Sequence, residues 1–288
     1  MGVIDLGAFA AEVGAEGPVT ITGLGTRGGA VPGVRCVSAP SGIDWVQADE
    51  MTVCCGAGTP VDELVAELAH HGQTVALPAG GTVGGALSVG VSDVRRLGYG
   101  PVRDTLLQAR YVSAAGDVVK AGGPTVKNVS GFDLCRLLVG SLGALGFLGD
   151  VILRTRPLAA ASQWFTVDAS EPFAVFTRLY RPVSVLWNGR KVWTLLEGHP
   201  DDVLEQAAVL GLRPCDGPPP LPAASRVSVP PDEVVGLSGD FVVEVGVGVV
   251  HSGVQRTSPG RDGRARTLAL AVKAEFDPTG RLNPGVDV

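Results

Sequence analysis

Glycine most limits the folds open to this chain. It fills 41 of 288 positions, about 14% where roughly 7% is usual. It gathers in runs: GLGTRGGAVPG (23–33), PAGGTVGGALSVG (78–90) and GSLGALGFLGD (140–150). With 21 prolines added, a helical bundle is excluded, because both residues are poor inside helices. No three-residue glycine period occurs, so the chain is not collagen-like. Hydrophobic residues make up 45%, charged residues 18%, and the mean hydropathy is +0.28. That apolar content supports a core and excludes a disordered chain. What remains is an ordered chain of strands and tight turns whose backbone approaches a ligand closely.

The length allows one large domain or two ordinary ones. A net charge of −6 and a pI near 5.2 argue against nucleic acid as a partner, since phosphate backbones select a basic surface. The first residues, MGVIDLGAFAAEVGAEG, lack a basic segment and do not read as a secretory signal. No run of eighteen apolar residues is present, so no spanning helix is expected. Five cysteines without a CxxC pair predict no metal site, no disulfide framework and a reducing, cytoplasmic setting.

Along the chain, residues 5–16 predict a short helix, VTIT (19–22) a strand and 51–55 another. Thr59 as N-cap, Pro60 at the first helical position, early acids and Gly72 predict a helix over 60–71. QTVAL (73–77) begins a strand. The glycine-rich 78–90 segment cannot be a regular strand or helix throughout. Residues 103–122 predict a hairpin turning at Ala115-Gly116, and 140–157 a turn followed by a strand ending at Pro157. Aromatic residues become frequent beyond that proline. DDVLEQAAVLG predicts a helix, FVVEVGVGVVHSG (241–253) one alternating strand, 264–276 a helix, and DPTGRLNPGV closing turns.

GLGTRG (23–28) matches the GxGxxG dinucleotide pattern and follows a strand. A Rossmann loop needs a helix to open at its third glycine. Here Ala30-Val31-Pro32-Gly33 follow, so the Rossmann reading fails. An anion-facing run of backbone N–H groups and a plain glycine-rich turn both fit. In PAGGTVGGAL (78–87) two glycine pairs flank Thr82, which suits backbone contact with pyrophosphate; a bulge or tight corner also fits. Two such loops about fifty residues apart favour a dinucleotide. In KNVSGFDLCRLLVGSLGALG (127–146), Asp133 and Arg136 are spaced to pair on one helical face.

These blocks, in order with RR then GPVRD (95–104) and the terminal FDPTGRLNPG, resemble the FAD-binding subunits of glycolate oxidases. More widely, they resemble the FAD-linked oxidases of the vanillyl-alcohol-oxidase, PCMH-type class. The first half matches nearly throughout, whereas 158–262 matches loosely. The resemblance implies an α+β fold. A two-lobed PCMH-type FAD-binding domain spans 1–157. A smaller, reduced α+β cap, or substrate, domain spans 158–288, with its tail (264–288) returning to the first domain. It implies pyrophosphate held by Gly25, Thr26, Arg27 and Gly28 from one loop and Pro78, Thr82, Gly84, Gly85 and Ser88 from the other. Gly143, Gly146 and Phe147 would run beside the adenosine half, with Arg103 and Asp104 near the flavin. Asn283 of the LNPG tail would come back to the same domain. Many relatives attach FAD through a histidine in the first loop; Arg27, Gly28 and Gly29 stand here, so non-covalent FAD is expected. Phe132 replaces a frequent tyrosine and removes one hydroxyl.

Oxidising a 2-hydroxy acid takes a base and a carboxylate-binding cation. Of four histidines, His70 and His71 end a predicted helix and His199 sits in a turn. His251, in the substrate region, is the candidate base; an ordinary surface or core histidine is the competing reading. Arg178, Arg181 and Arg190 are available for the carboxylate, and Arg181 is the one selected. The function implied is FAD-dependent oxidation of a small 2-hydroxy acid such as glycolate or D-lactate. Electrons would pass to a second flavin subunit, an iron–sulfur subunit or a quinone-linked chain, placing the protein in the cytoplasm or peripherally at the inner membrane. A non-catalytic FAD-carrying subunit of such a complex is the rival reading. An NAD(P)H–flavin reductase or a molybdenum-hydroxylase flavin subunit is a third, which the KNVSGFDL block and LNPG tail oppose.

Overall fold

The computed structural model describes residues 4–28, 30–124, 133–256 and 263–286. Gly29, Lys127 and Phe132 therefore lie outside the described residues. In chain order the elements are α1 (Gly7–Val13), β1 (Val19–Thr22), β2 (Arg35–Ser38), β3 (Ile43–Gln47), β4 (Thr52–Gly56), α2 (Val61–His70), β5 (Gln73–Val75) and α3 (Val83–Val89). Then come α4 (Arg96–Tyr99), β6 (Leu106–Val112), β7 (Val118–Gly122), α5 (Leu134–Leu138), β8 (Phe147–Pro157), β9 (Ala161–Asp168) and α6 (Pro172–Phe176). The last are β10 (Ser184–Trp187), β11 (Lys191–Gly198), α7 (Pro200–Val209), β12 (Arg213–Cys215), β13 (Ser225–Ser228), β14 (Phe241–Glu244), β15 (Val249–Ser252) and α8 (Gly263–Phe276). The fold is α+β and divides into two compact units. The first holds 1–92, 101–158 and 261–288; the second holds 93–100 and 159–260.

In the first unit, β8 is the spine. It pairs antiparallel with β4 and β6, and its end takes β5, in a sheet ordered β3-β4-β8-β6-β7. Strand β8, whose register against β6 shifts between Asp150 and Leu148, feeds two cores: Leu148, Val151 and Leu153 join the larger cluster, while Phe147 joins a smaller one with Phe9, Val13, Val19 and Leu282. Helix α2 turns Val61, Leu64 and Leu68 inward at helical spacing. Each such side chain contributes about 1.5–3 kcal/mol by leaving water. Strands β1 and β2 pair in parallel, and Val19 also bridges Leu282, so the first strand touches the end of the chain.

The start of α2 departs from the expected cap. The helix begins at Val61 after Pro60, with no side-chain cap. Thr59 is fully buried, and its Oγ1 accepts from the Gly42 N–H (2.9 Å) and donates to the Gly42 carbonyl (3.1 Å). The hydroxyl is taken by a neighbouring turn. Meanwhile the Thr59 carbonyl accepts from Val83 N at 2.9 Å, which ties this corner to α3.

The second unit is a seven-stranded antiparallel sheet ordered β12-β9-β11-β10-β14-β15-β13. One of its faces carries Val185, Trp187, Phe241, Val243 and Val250, packed against Phe173 and Phe176 of α6. The expected single strand over 241–253 is instead a hairpin, β14–β15. Gly246 (φ 83°) and Gly248 (φ 76°) take left-handed conformations, which only glycine adopts cheaply. Their turn closes by Gly248 N donating to the Glu244 carbonyl at 2.9 Å.

Candidate functional site

A cleft of about 240 Å³ opens in the first unit, where both glycine loops, the 142–148 segment and the tail converge. Gly25, Thr26, Arg27, Gly28, Thr82, Gly84, Gly85, Ser88, Gly143 and Phe147 all line it. Pro78, Arg103, Asp104 and Gly146 do not line it. Ile21, Ala57, Gly58 and Leu142 do, and none of these was expected. Ala57 and Gly58 follow β4, beyond the strand read over 51–55.

Arg27 fixes the two loops to each other. Its Nη2 donates to the carbonyls of Pro78 (2.8 Å) and Ala79 (2.7 Å), and its Nη1 to Gly80 (2.5 Å). Pro78 thus acts through its carbonyl on Arg27. Neighbouring glycines allow this approach. A Cβ on Gly23 would stand 2.8 Å from Thr82 Oγ1, and one on Gly81 would strike Thr26 and Arg27.

The second loop differs from the expected N–H cradle. Its later half is α3, capped by Thr82, whose Oγ1 accepts from Gly85 N at 3.1 Å. Val83 N donates to Thr59 and Gly84 N to the Ala57 carbonyl at 2.7 Å. The first three amides of α3 are therefore spent inside the protein. A Cβ on Gly84 would lie 2.9 Å from the Ala57 carbonyl, so this glycine serves helix packing. Gly146 likewise makes room for the Tyr111 ring.

The first loop keeps its backbone available. The N–H groups of Leu24 and Gly25 have no acceptor among the described residues. Gly25 (φ 71°) and Gly28 (φ 103°) have no atom within 4 Å of where a Cβ would stand. A side chain at either position would fill the cleft. The lining contains one cation, Arg27, no carboxylate, and the polar side chains of Thr22, Thr26, Thr82, Ser88 and Asn283. It also contains Ile21, Val31, Leu142 and Phe147. That donor set fits a pyrophosphate flanked by an aromatic or ribosyl group.

Asn283 (φ 45°) joins two walls. Its Oδ1 accepts from Thr20 Oγ1 (2.8 Å) and Ile21 N (3.2 Å), and its Nδ2 donates to the Leu142 carbonyl (2.6 Å). Behind it, Lys273 Nζ reaches Asp277 at 2.6 Å and the Ala144 carbonyl at 2.8 Å. Arg281 donates to the carbonyls of Val13, Gly14, Glu16, Gly17 and Ala114. Burial alone would raise the Asp277 pKa. The bonds from Lys273 and from the Leu282 and Arg281 amides outweigh it and hold the carboxyl below its ordinary value.

Arg103 and Asp104 lie on a short helical turn, Val102–Asp104. Asp104 pairs with Arg136 at 3.1 Å, and Arg136 with Asp133 at 2.9 Å, as the three-residue spacing suggested. All four residues are exposed, so these pairs contribute little stability.

In the second unit, His251 Nε2 lies 2.8 Å from Glu244 Oε1. Glu244 is 2% exposed. Arg226 Nη2 approaches the same oxygen at 3.5 Å. Arg181, the expected partner of His251, sits in an exposed turn (φ 47°) beside Tyr180, whose N–H donates to Gln206 of α7. His251 alternates with Val250 and so lies on the opposite sheet face from the α6 core. The structure does not bring the two together; Arg226, paired in register with His251, is the nearby cation. His199 caps α7 by accepting from Asp201 N at 3.4 Å, and Arg178 and Arg190 are exposed.

Among the described residues, no cluster of three metal-binding side chains and no helix long and apolar enough to cross a membrane is present. Residues 22–122 match the family described as an FAD binding domain. Glycolate oxidase subunit GlcE of Escherichia coli (strain K12) is 32% identical over 189 residues, covering 62% of this chain and 53% of that protein. A D-lactate dehydrogenase of Archaeoglobus fulgidus is 36% identical over 141 residues, covering 47% of this chain and 32% of the enzyme. Glycolate oxidase subunit GlcD of Bacillus subtilis (strain 168) is 40% identical over 76 residues, covering 26% of this chain and 16% of that protein. The chain thus spans about half or less of the length of these relatives. Among solved structures, alkyldihydroxyacetonephosphate synthase shares the fold. Its TM-score is 0.52 at 16% identity, covering 69% of this chain and 48% of that one. Residues 22–122 thus form an FAD-binding domain, the cofactor is FAD, and the chain is similar to the PCMH-type FAD-linked oxidases.

Proposed function

We propose that the chain is the FAD-binding subunit of an oxidoreductase that oxidises a small 2-hydroxy acid of the glycolate or D-lactate kind and passes electrons to a partner flavin or iron–sulfur subunit. The observation that carries this reading is the cleft itself. It joins an open glycine loop, a single guanidinium and an apolar wall without a carboxylate. The relatives' names supply the substrate class and the subunit role. FAD supplies two-electron redox chemistry when bound. The chain's own residues hold it. Arg27 locks the loops together, Gly25 and Gly28 keep space open, and the 142–147 turn with Asn283 closes the far wall. Arg103, Asp104 and Gly146 support this frame from outside the cleft. No histidine stands among the cleft-lining residues, which supports a non-covalent cofactor.

The test is the visible spectrum of the purified full chain, followed by anaerobic addition of glycolate and of D-lactate. A flavin spectrum bleached by either acid is expected. A flavin spectrum that neither acid alters, together with activation of a co-expressed partner, replaces this reading with that of a non-catalytic FAD carrier.

A further inference from the structure

The second unit presents one surface on which opposite charges balance without meeting. Helix α7 turns Val203 and Ala207 onto Phe165, Leu196 and Leu212, which fixes the helix on its sheet. Its outer side leaves Val209 69% exposed. Asp202, Gln206 and Val209 succeed one another at spacings of four and three, so they form one row along the helix. The 178–181 loop lies against that row, because Gln206 Oε1 accepts from Tyr180 N. Leu179 packs on the core beneath α7, while Tyr180 beside it is 76% exposed. Arg178 and Arg181 flank the tyrosine, and Asp202 and Glu205 stand on the helix; all four are exposed. Among the described residues, none of these four side chains makes an ion pair or a hydrogen bond. Two guanidiniums and two carboxylates thus cancel, in a chain whose net charge is −6.

We infer that α7 and the 178–181 loop form the surface on which a second copy of this chain docks about a two-fold axis. Such an axis sets a surface against itself, so each protomer must offer both signs. The arginines of one loop then meet the carboxylates of the other protomer's helix, and the reverse, around Tyr180 and Val209. Exposed tyrosine and arginine suit this role, since both are enriched where proteins associate. The charge balance selects the occupant. A strongly acidic or strongly basic partner gains from one pair of charges and is repelled by the other. Two copies of an acidic chain repel one another in general, and this balanced face is where they can approach. The inference is independent of which acid the protein oxidises.

The test is sedimentation equilibrium of the FAD-loaded full chain over about 1–100 μM, the range of modest protein affinities. The wild type is expected to show a monomer–dimer equilibrium. Arg178→Glu combined with Arg181→Glu makes the face wholly acidic, and Asp202→Arg combined with Glu205→Arg makes it wholly basic. Each double variant alone is expected to self-associate at least about tenfold more weakly, because like charges then face one another. An equimolar mixture of the two is expected to regain the dimer, each protomer supplying one sign. Tyr180→Asp weakens the dimer by at least about tenfold without touching those charges. Flavin content and melting temperature stay as in wild type, since all of these side chains are exposed. If one double variant does not fold, the other and Tyr180→Asp decide the matter. A wild type that stays monomeric throughout overturns the inference. So does a dimer that the folded variants leave intact, which places the contact on another surface. So does a mixture of the acidic and basic variants that stays monomeric.

Discussion

Glycines that look alike in the sequence do different work at the residue scale. Gly84 and Gly25 both line the cleft, but a Cβ on Gly84 meets the Ala57 carbonyl, whereas one on Gly25 meets open space. Gly84→Val is therefore expected to destabilise the fold by about 1–3 kcal/mol through overpacking, visible as a lower melting temperature. Gly25→Ala carries left-handed strain of about 1–2 kcal/mol and places its methyl in the cleft. Its expected signature is FAD loss during gel filtration, with the apo-protein melting only a few degrees lower. A Gly25 variant that retains flavin as wild type does would remove the first loop from the cofactor site.

At the element scale, the tail is a clasp whose strength depends on pH. Asp277 is held ionised by Lys273 and two backbone amides, so its folded pKa lies below the unfolded value of about 3.9. The stabilisation is present above that value and is lost as pH falls through the lower folded value. FAD retention is expected to drop in the wild type as pH falls below the unfolded value and on through the lower folded one. Asp277→Asn should already be weaker at neutral pH and should lose this acid dependence; a fluorescence titration of released flavin reads both. The elements themselves were largely legible: α2, the β6–β7 hairpin, β8 and α8 follow from periodicity and turn residues. Two were not. Helix α3 was hidden by Gly80, Gly81, Gly84 and Gly85, because its start depends on distant carbonyls of Ala57 and Thr59. The Glu244–His251 pair was hidden by reading 241–253 as one strand. Seven residues apart on a single strand, the two point to opposite faces; folded as a hairpin, they share one.

Across the whole molecule, the first unit is not a contiguous stretch. Val272 and Phe276 of α8 pack on its larger core, and Leu282, fully buried, belongs to its smaller one. A fragment ending at Pro157 lacks those side chains and every carbonyl bond made by Arg281. Such a fragment is expected to bind no FAD. Supplying residues 261–288 as a separate peptide should restore part of the flavin fluorescence change. Full FAD binding by the 1–157 fragment alone would contradict this account of the unit. The sequence order of motifs pointed to the tail's return, but the partners of Arg281 could not be read from it. They are backbone carbonyls, which leave no mark on residue identity.

The Val19–Leu282 bridge and the Asn283 contacts have a consequence for synthesis. The strand that leads into the first glycine loop leaves the ribosome before its neighbour, Leu282, which emerges more than 260 residues later. The cleft cannot be completed during translation, so flavin capture becomes a test that only a chain extended past Asn283 can pass. A product truncated before Leu282 is expected to remain colourless and to expose the apolar surface around Val19 and Phe147.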